Sequence, residues 1–209
     1  MKSIFLSILA FFGLYTPISP GAIIVSPPPQ AVISNFPTPV PLAKSEFNLP
    51  SVDFLSRITK KPFGIHITPN SSPVKPEKFT GYHTGVDAEY EDILTEVPVH
   101  AIHSGKIIYS GFVKGYGGLV AQSLNYKNSE YIVLYGHLAP SSLSPLGTVL
   151  TTGQSIGVLG KGYSPETDGE RRHLHLAIIK GSKLNLKGYV SQEVDLALWQ
   201  NPVDFLNLR

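Results

Sequence analysis

The sequence predicts an all-β fold, with antiparallel sheets packed as a small sandwich or barrel-like domain. Nineteen Gly and eighteen Pro stand against one Met and one Trp, a balance that favours turns and strands over helical bundles. Short runs rich in Val, Ile, Leu and Tyr recur between turn residues, as hairpin-connected strands require. No long apolar helical period lies between them, so consecutive strands pair antiparallel instead of crossing over through helices. With 209 residues, 42% of them hydrophobic, the chain can bury one sizeable core.

Residues 2–15 read K-S-I-F-L-S-I-L-A-F-F-G-L-Y, one positive charge followed by an apolar run of signal-peptide length, short for a membrane span of roughly 20 residues. Residues 1–22 are therefore expected to be a signal peptide or, if uncleaved, an N-terminal anchor. Pro20 weakens the cleavage site. Residues 17–50 hold nine of the eighteen prolines and only two charges, Lys44 and Glu46, which favours extended chain. Residues 23–61 are assigned to a proline-rich linker, with an arm packed across the domain as the alternative. The domain is expected over residues 62–209, as an exported protein in the cell envelope or secreted, touching membrane only through its N-terminal segment.

Strands are expected at 97–103, 105–113, 118–124, 130–138, 155–159 and 173–180, and one short helix near 193–199. Alternation within 131–138 puts Ile132, Leu134 and Leu138 on one face, and Tyr131, Val133, Tyr135 and His137 on the other. Within 173–179 it separates Leu174, Leu176 and Ile178 from His173, His175, Ala177 and Ile179. One face of each strand can build a core while the other presents histidines.

Seventeen Lys plus Arg against fifteen Asp plus Glu leave a formal charge of +2, and no basic run exceeds two residues, so nucleic acid is not an expected partner. With no Cys there are no disulfides, thiolate nucleophiles, Fe–S clusters or Cys-type zinc sites, and any metal must sit on His and carboxylates. Three local patterns stand out among the seven His. G-Y-H-T-G-V-D at 81–87 places His83 and Asp87 four apart around Gly85, where glycine permits a tight turn. H-L-H at 173–175 sets two imidazoles on one strand face, roughly 6.5 to 7 Å apart. Y-G-H-L at 135–138 supplies another imidazole from a different strand. Each alone also fits an ordinary role: His83 in a turn, His137 beside Tyr135, His173 and His175 on an exposed edge.

In this order, H-T-G-V-D, Y-G-H-L and H-L-H resemble the lysostaphin/LytM-type zinc metallopeptidases, with their H-x-G-x-D, Y-x-H and H-x-H. V-P-V-H-A-I-H-S-G-K-I at 97–107, G-Y-G-G-L-V at 115–120 and G-Q-S-I-G-V-L-G at 153–160 extend the likeness, which covers roughly residues 62–182. The resemblance implies an open zinc groove with His83, Asp87 and His175 as ligands of one Zn2+ per chain. It implies His173 and His137 as uncoordinated catalytic histidines, with His173 favoured as general base and the two roles exchangeable. It implies a metalloendopeptidase in which a zinc-activated water attacks peptide bonds in peptidoglycan stems or cross-bridges. The alternative is a non-catalytic wall-binding or hydrolase-regulating module of the same fold. Two further rivals are a zinc D-Ala-D-Ala carboxypeptidase, disfavoured by the four-residue His to Asp spacing, and a metal-free surface protein. The chain departs from the family pattern at Arg171 and Arg172, before H-x-H, and at Ala177, after it. The loop from Gly160 to Arg172 is expected to wall the groove. His66, His100 and His103 match no motif position and are expected to be structural or solvated.

Overall fold

The computed structural model describes residues 46–208. Among them, twelve strands follow one another: β1 (His66–Ile67), β2 (Gly81–His83), β3 (Gly85–Glu89), β4 (Pro98–His100), β5 (Gly105–Val113) and β6 (Gly117–Tyr126), then β7 (Ser129–Leu138), β8 (Val149–Leu150), β9 (Ser155–Val158), β10 (His173–Lys180), β11 (Tyr189–Val190) and β12 (Trp199–Gln200). The main sheet has the order β12-β10-β7-β6-β5-β8, with β3 also paired to β10. Beside it lie a three-stranded sheet β1-β2-β11 and the pair β4-β9. Every pairing is antiparallel. The fold class is as expected, and the sheets stay open without closing into a barrel.

β10 organises the site. Its first residues pair with β3 (His175 opposite Asp87, His173 opposite Glu89), its last with β12, and its other edge with β7. Both faces of the main sheet are covered. Leu174, Leu176 and Ile178 enter the larger core with Val133, Tyr135, Val99 and Ile156. Ala177 and Ile179 join Ile132, Leu134, Ala121 and Trp199 in a smaller cluster on the opposite face. His173 and His175 continue this second face towards β3.

The domain begins before Pro62. Phe47 packs against Tyr126 and Phe205 at centroid distances of 4.7 Å each, and Phe54 is fully buried. Asn48 N–H donates to the Ile102 carbonyl and His100 N–H to the Pro50 carbonyl, both at 2.8 Å. Residues 46–61 are thus part of the fold and not linker: two aromatic anchors secure a stretch whose composition reads as extended spacer. The rest of the expected linker, 23–45, and the expected signal or anchor, 1–22, lie outside the described residues. Among the described residues, no helix is long and apolar enough to cross a membrane.

Local readings shift in three places. The run 97–103 forms a strand only over Pro98–His100, since the chain turns where Ala101 and Ile102 enter the core. The segment near 193–199 is a 3-10 turn, Glu193–Leu198, whose residues are not buried. The α-helix α1 lies further on, at Pro202–Leu206, capped by the Asn201 side chain accepting from Val203 N–H.

Candidate metal centre

Three side chains converge where β2, β3 and β10 meet. His83 Nε2 lies 3.3 Å from Asp87 Oδ1, Asp87 Oδ1 lies 3.0 Å from His175 Nδ1, and the two ring nitrogens are 3.1 Å apart. Zinc bonds of about 2.0–2.1 Å in tetrahedral geometry separate neighbouring ligand atoms by roughly 3.3 Å, so the triangle fits such an ion. The donor set fits as well: two imidazoles and one carboxylate leave a fourth position open, as catalytic zinc sites do. His83 Nδ1 faces the Pro62 carbonyl at 3.2 Å; donating there leaves the Nε2 lone pair for the ion.

Backbone geometry explains the convergence. Asp87 and His175 are direct cross-strand partners, and Asp87 N–H donates to the Lys61 carbonyl at 3.0 Å. Gly85 serves close approach and not a turn: a Cβ there would sit 2.4 Å from the Leu176 carbonyl oxygen and 2.9 Å from His175 Cε1.

His173 and His137 stand beside the triangle, their ring centroids 4.1 Å apart. His173 Nδ1 is 2.9 Å from the Arg171 carbonyl and its Nε2 is 3.5 Å from Asp87 Oδ2. His137 reaches this place against the alternation reading. In β7, Tyr131, Val133 and Tyr135 pack into or against the large core, and Ile132 and Leu134 occupy the site face, the reverse of the expected assignment. The ladder with β6 slips between Gly118 and Leu119, so that Gly136 pairs with Leu119 and Leu138 with Gly118, leaving His137 as the extra residue. This bulge puts His137 at φ 65° and turns it to the site beside Gly136, while Leu138 returns to the core.

All five residues are buried; Asp87, His137, His173 and His175 line a pocket of about 340 Å³ together with Lys61, Phe79, Tyr116, Glu170, Arg171 and Tyr189, and His83 lies behind the Tyr189 ring that stacks on it. Burial pushes the His137 pKa down to about 3 and draws His173 well below the ordinary imidazole value, aided by the charge of neighbouring His137. Burial lowers His175 too, in spite of Asp87. The Asp87 carboxyl is pushed up by burial, yet its electrostatic interaction with the His173 and His83 rings and its hydrogen bonds with His175 and His83 hold it well below the usual carboxylate range. At neutral pH the site therefore presents the Asp87 carboxylate beside His137, His173 and His175 held neutral, and a neutral His175 is the form that ligates a divalent cation.

Residues 81–186, about half of the chain, match the family model described as Peptidase family M23. The chain belongs to peptidase family M23. The likeness read from its three histidine motifs is confirmed, and all five site positions fall inside the matched span. The M23 fold is similar to the catalytic domain of the antimicrobial peptidase lysostaphin from Staphylococcus simulans, with 23% identity and a TM-score of 0.51 over 77% of this chain and 100% of that one. It is also similar to LytU (21% identity, TM-score 0.48, 71% of this chain and 83% of that one) and to Csd3 from Helicobacter pylori (25%, 0.45, 70% and 35%). No curated protein matches the chain.

The other expected residues fall as follows. Of the Gly160 to Arg172 loop, Glu170 and Arg171 line the pocket, while Asp168 accepts from Gly115 N–H at 2.7 Å and Glu166 from Lys161 N–H at 2.7 Å. His66 pairs with Tyr82 on the small sheet, and His103 packs against Phe47, both away from the triangle. Sequence reasoning passed over Glu89, Lys61 and Tyr189. Glu89 carried a signal: it follows Asp87 by two, on the same face of β3. Lys61 and Tyr189 carried none, since residues far apart in the chain unite them: Lys61 Nζ donates to Glu77 Oε2 at 2.6 Å and meets Tyr189 OH at 3.1 Å, while the Tyr189 ring stacks on His83.

Proposed function

We propose that this chain is an exported zinc metalloendopeptidase that hydrolyses peptide bonds in peptidoglycan stems or cross-bridges. The observation carrying this is the triangle of His83, Asp87 and His175 donor atoms, 3.0–3.3 Å on a side, with two further imidazoles beside it that share a pocket with Asp87 and His175. The family supports peptidase chemistry, and the apolar run at 2–15 supports export. A non-catalytic module has no need of His137 and His173 beside an intact ligand set.

A zinc ion held by His83, Asp87 and His175 supplies a Lewis acid for the scissile carbonyl and an acidified water. His173, donating through Nδ1–H to the Arg171 carbonyl, keeps Nε2 unprotonated and turned towards the site. It is placed to take the proton of the attacking water and return it to the leaving amine. His137, buried against His173, steadies charge on the tetrahedral oxygen, and the two imidazoles can exchange these tasks. Neither needs to lose a proton first, since burial keeps both neutral.

Mass spectrometry of purified peptidoglycan incubated with the zinc-loaded protein tests this reading. New stem or cross-bridge fragments are expected, none with His83, Asp87 and His175 all changed to Ala. Intact peptidoglycan from a zinc-loaded chain, or stoichiometric zinc in the triple variant, contradicts it.

A further inference from the structure

The two oxygens of Asp87 serve different partners. Oδ1 belongs to the triangle with His83 and His175, whereas Oδ2 accepts from Arg171 Nη2 at 2.8 Å. The guanidinium is gripped in turn by Glu89, with Nη2 to Oε1 at 2.7 Å and Nε to Oε2 at 2.8 Å. Arg171 is only 2% exposed, so this pairing is a built part of the pocket wall and not a solvated surface contact. Strand register brings it about. On β3, stepping by two from Asp87 reaches Glu89, the register partner of His173, and Arg171 sits two residues before His173, just ahead of the start of β10.

We propose that Arg171, compensated by Glu89, is the positioning residue of the Asp87 ligand, occupying Oδ2 so that Oδ1 alone is turned to the metal. A carboxylate free at both oxygens can rotate or grip a cation with both, filling the position a catalytic zinc keeps open. Hydrogen bonding of the outer oxygen removes that freedom. A lone guanidinium this close would also repel a divalent cation. Glu89 cancels it, so Asp87, Arg171 and Glu89 together carry the single negative charge that Asp87 carries alone. The departure from the family pattern at Arg171, two residues before H-x-H, thereby has a part in the site. The inference rests on the metal site proposed above.

Two readouts independent of turnover test it on the full chain: zinc affinity by competition with a chromophoric chelator, and the visible spectrum of the cobalt(II)-loaded protein, which reports ligand number. The unaltered chain is expected to show the intense bands of four-coordinate cobalt. Arg171→Met is expected to lose about 10–100-fold in zinc affinity and to shift cobalt to weaker, higher-coordinate bands, as loss of a ligand's outer partner typically does. Arg171→Lys, which keeps one donor, should recover part of both. Because Arg171→Met leaves the largely buried Glu89 with Lys60, at 3.4 Å, as its remaining ion pair, the double variant Arg171→Met/Glu89→Leu removes both partners and should show the same metal defects with cooperative melting retained. A folded double variant with unaltered zinc affinity and cobalt bands would overturn the proposal. The spectrum of the unaltered chain needs no variant, and six-coordinate cobalt there would overturn it as well. Absence of stoichiometric zinc from the unaltered chain would sink the metal site itself, whereas zinc binding that ignores Arg171 removes only this inference.

Discussion

Two adjacent strands of one sheet deliver histidines to the same pocket by different means. β10 is regular: its alternation sends Leu174, Leu176 and Ile178 into the large core and His173 and His175 to the opposite face. β7 obeys the same rule only as far as Tyr135. There a bulge inserts His137 at φ 65°, so that Gly136 and His137 both lie on the site side before Leu138 resumes the core. Without the bulge His137 would follow Val133 and Tyr135 into the core, where Tyr135 OH already donates to Gln122 Oε1 at 2.7 Å. A regular ladder positions ligands through register, while an irregular one aims a single side chain at the cost of local backbone strain.

The contrast can be broken at its support. β10 takes its register from β3, and β3 leans on the segment before it through the 3-10 turn Phe54–Arg57 and the Lys61 carbonyl that receives Asp87 N–H. Deleting residues 1–61 removes Phe47 and Phe54 from the core. Losing one buried aromatic costs about 3–5 kcal/mol, and both together approach the whole stability of a typical domain. Loss of cooperative melting and of zinc binding is the expected outcome. A truncated chain that melts as the full one does would show that β10 holds its place unaided.

Acidification acts on both strands with one sign. The folded domain holds His137, His173 and His175 below their unfolded value of about 6.5, so below that pH the unfolded chain binds more protons and stability falls as pH drops towards about 3. Asp87, also lowered, adds stability present above an unfolded value of about 3.9 and lost as pH falls through its folded value. Melting temperature of the metal-free protein should therefore decline steadily below about pH 6.5. Each neutral imidazole contributes up to about 1.4 kcal/mol per pH unit, and His137→Gln should remove one such share. A flat profile between pH 6.5 and 4 would mean that the histidines are not held neutral.

The smallest effect sharpens the contrast most finely. At φ 65° a residue with a Cβ pays roughly 1 kcal/mol that glycine does not, so His137→Gly should be more stable than His137→Ala by about that amount. On β10 the order should reverse, with His173→Ala more stable than His173→Gly by about 0.5–1 kcal/mol. Chemical denaturation of the four variants checks both, and the same order at both positions would deny the bulge.

Where structure followed local pattern, the sequence was a sound guide. The strands 105–113 and 173–180 lie where alternation and turn residues put them, and H-T-G-V-D and H-L-H name the three residues whose donor atoms converge. What escaped is non-local. The β7 bulge shows only in pairing with β6, and the four two-residue strands are too short to leave a period. Phe47 and Phe54 sit in a composition that reads as spacer, yet two rings suffice to seat it. Arg171 was visible only as a departure from the family pattern; its partner Glu89 becomes legible once β3 and β10 are aligned.

The central claim is a division of labour on β10, with one histidine holding metal and its neighbour two residues away moving protons. Zinc content and turnover measured together on His173→Ala and His175→Ala test it most directly, with His103→Ala as a control that should leave both quantities unchanged. His173→Ala should keep about one zinc per chain and lose about 10²–10⁴-fold in turnover, the usual share of a positioned general base, whereas His175→Ala should lose the metal. Zinc lost from His173→Ala and kept by His175→Ala would exchange the roles, and full zinc with full activity in both would contradict the account.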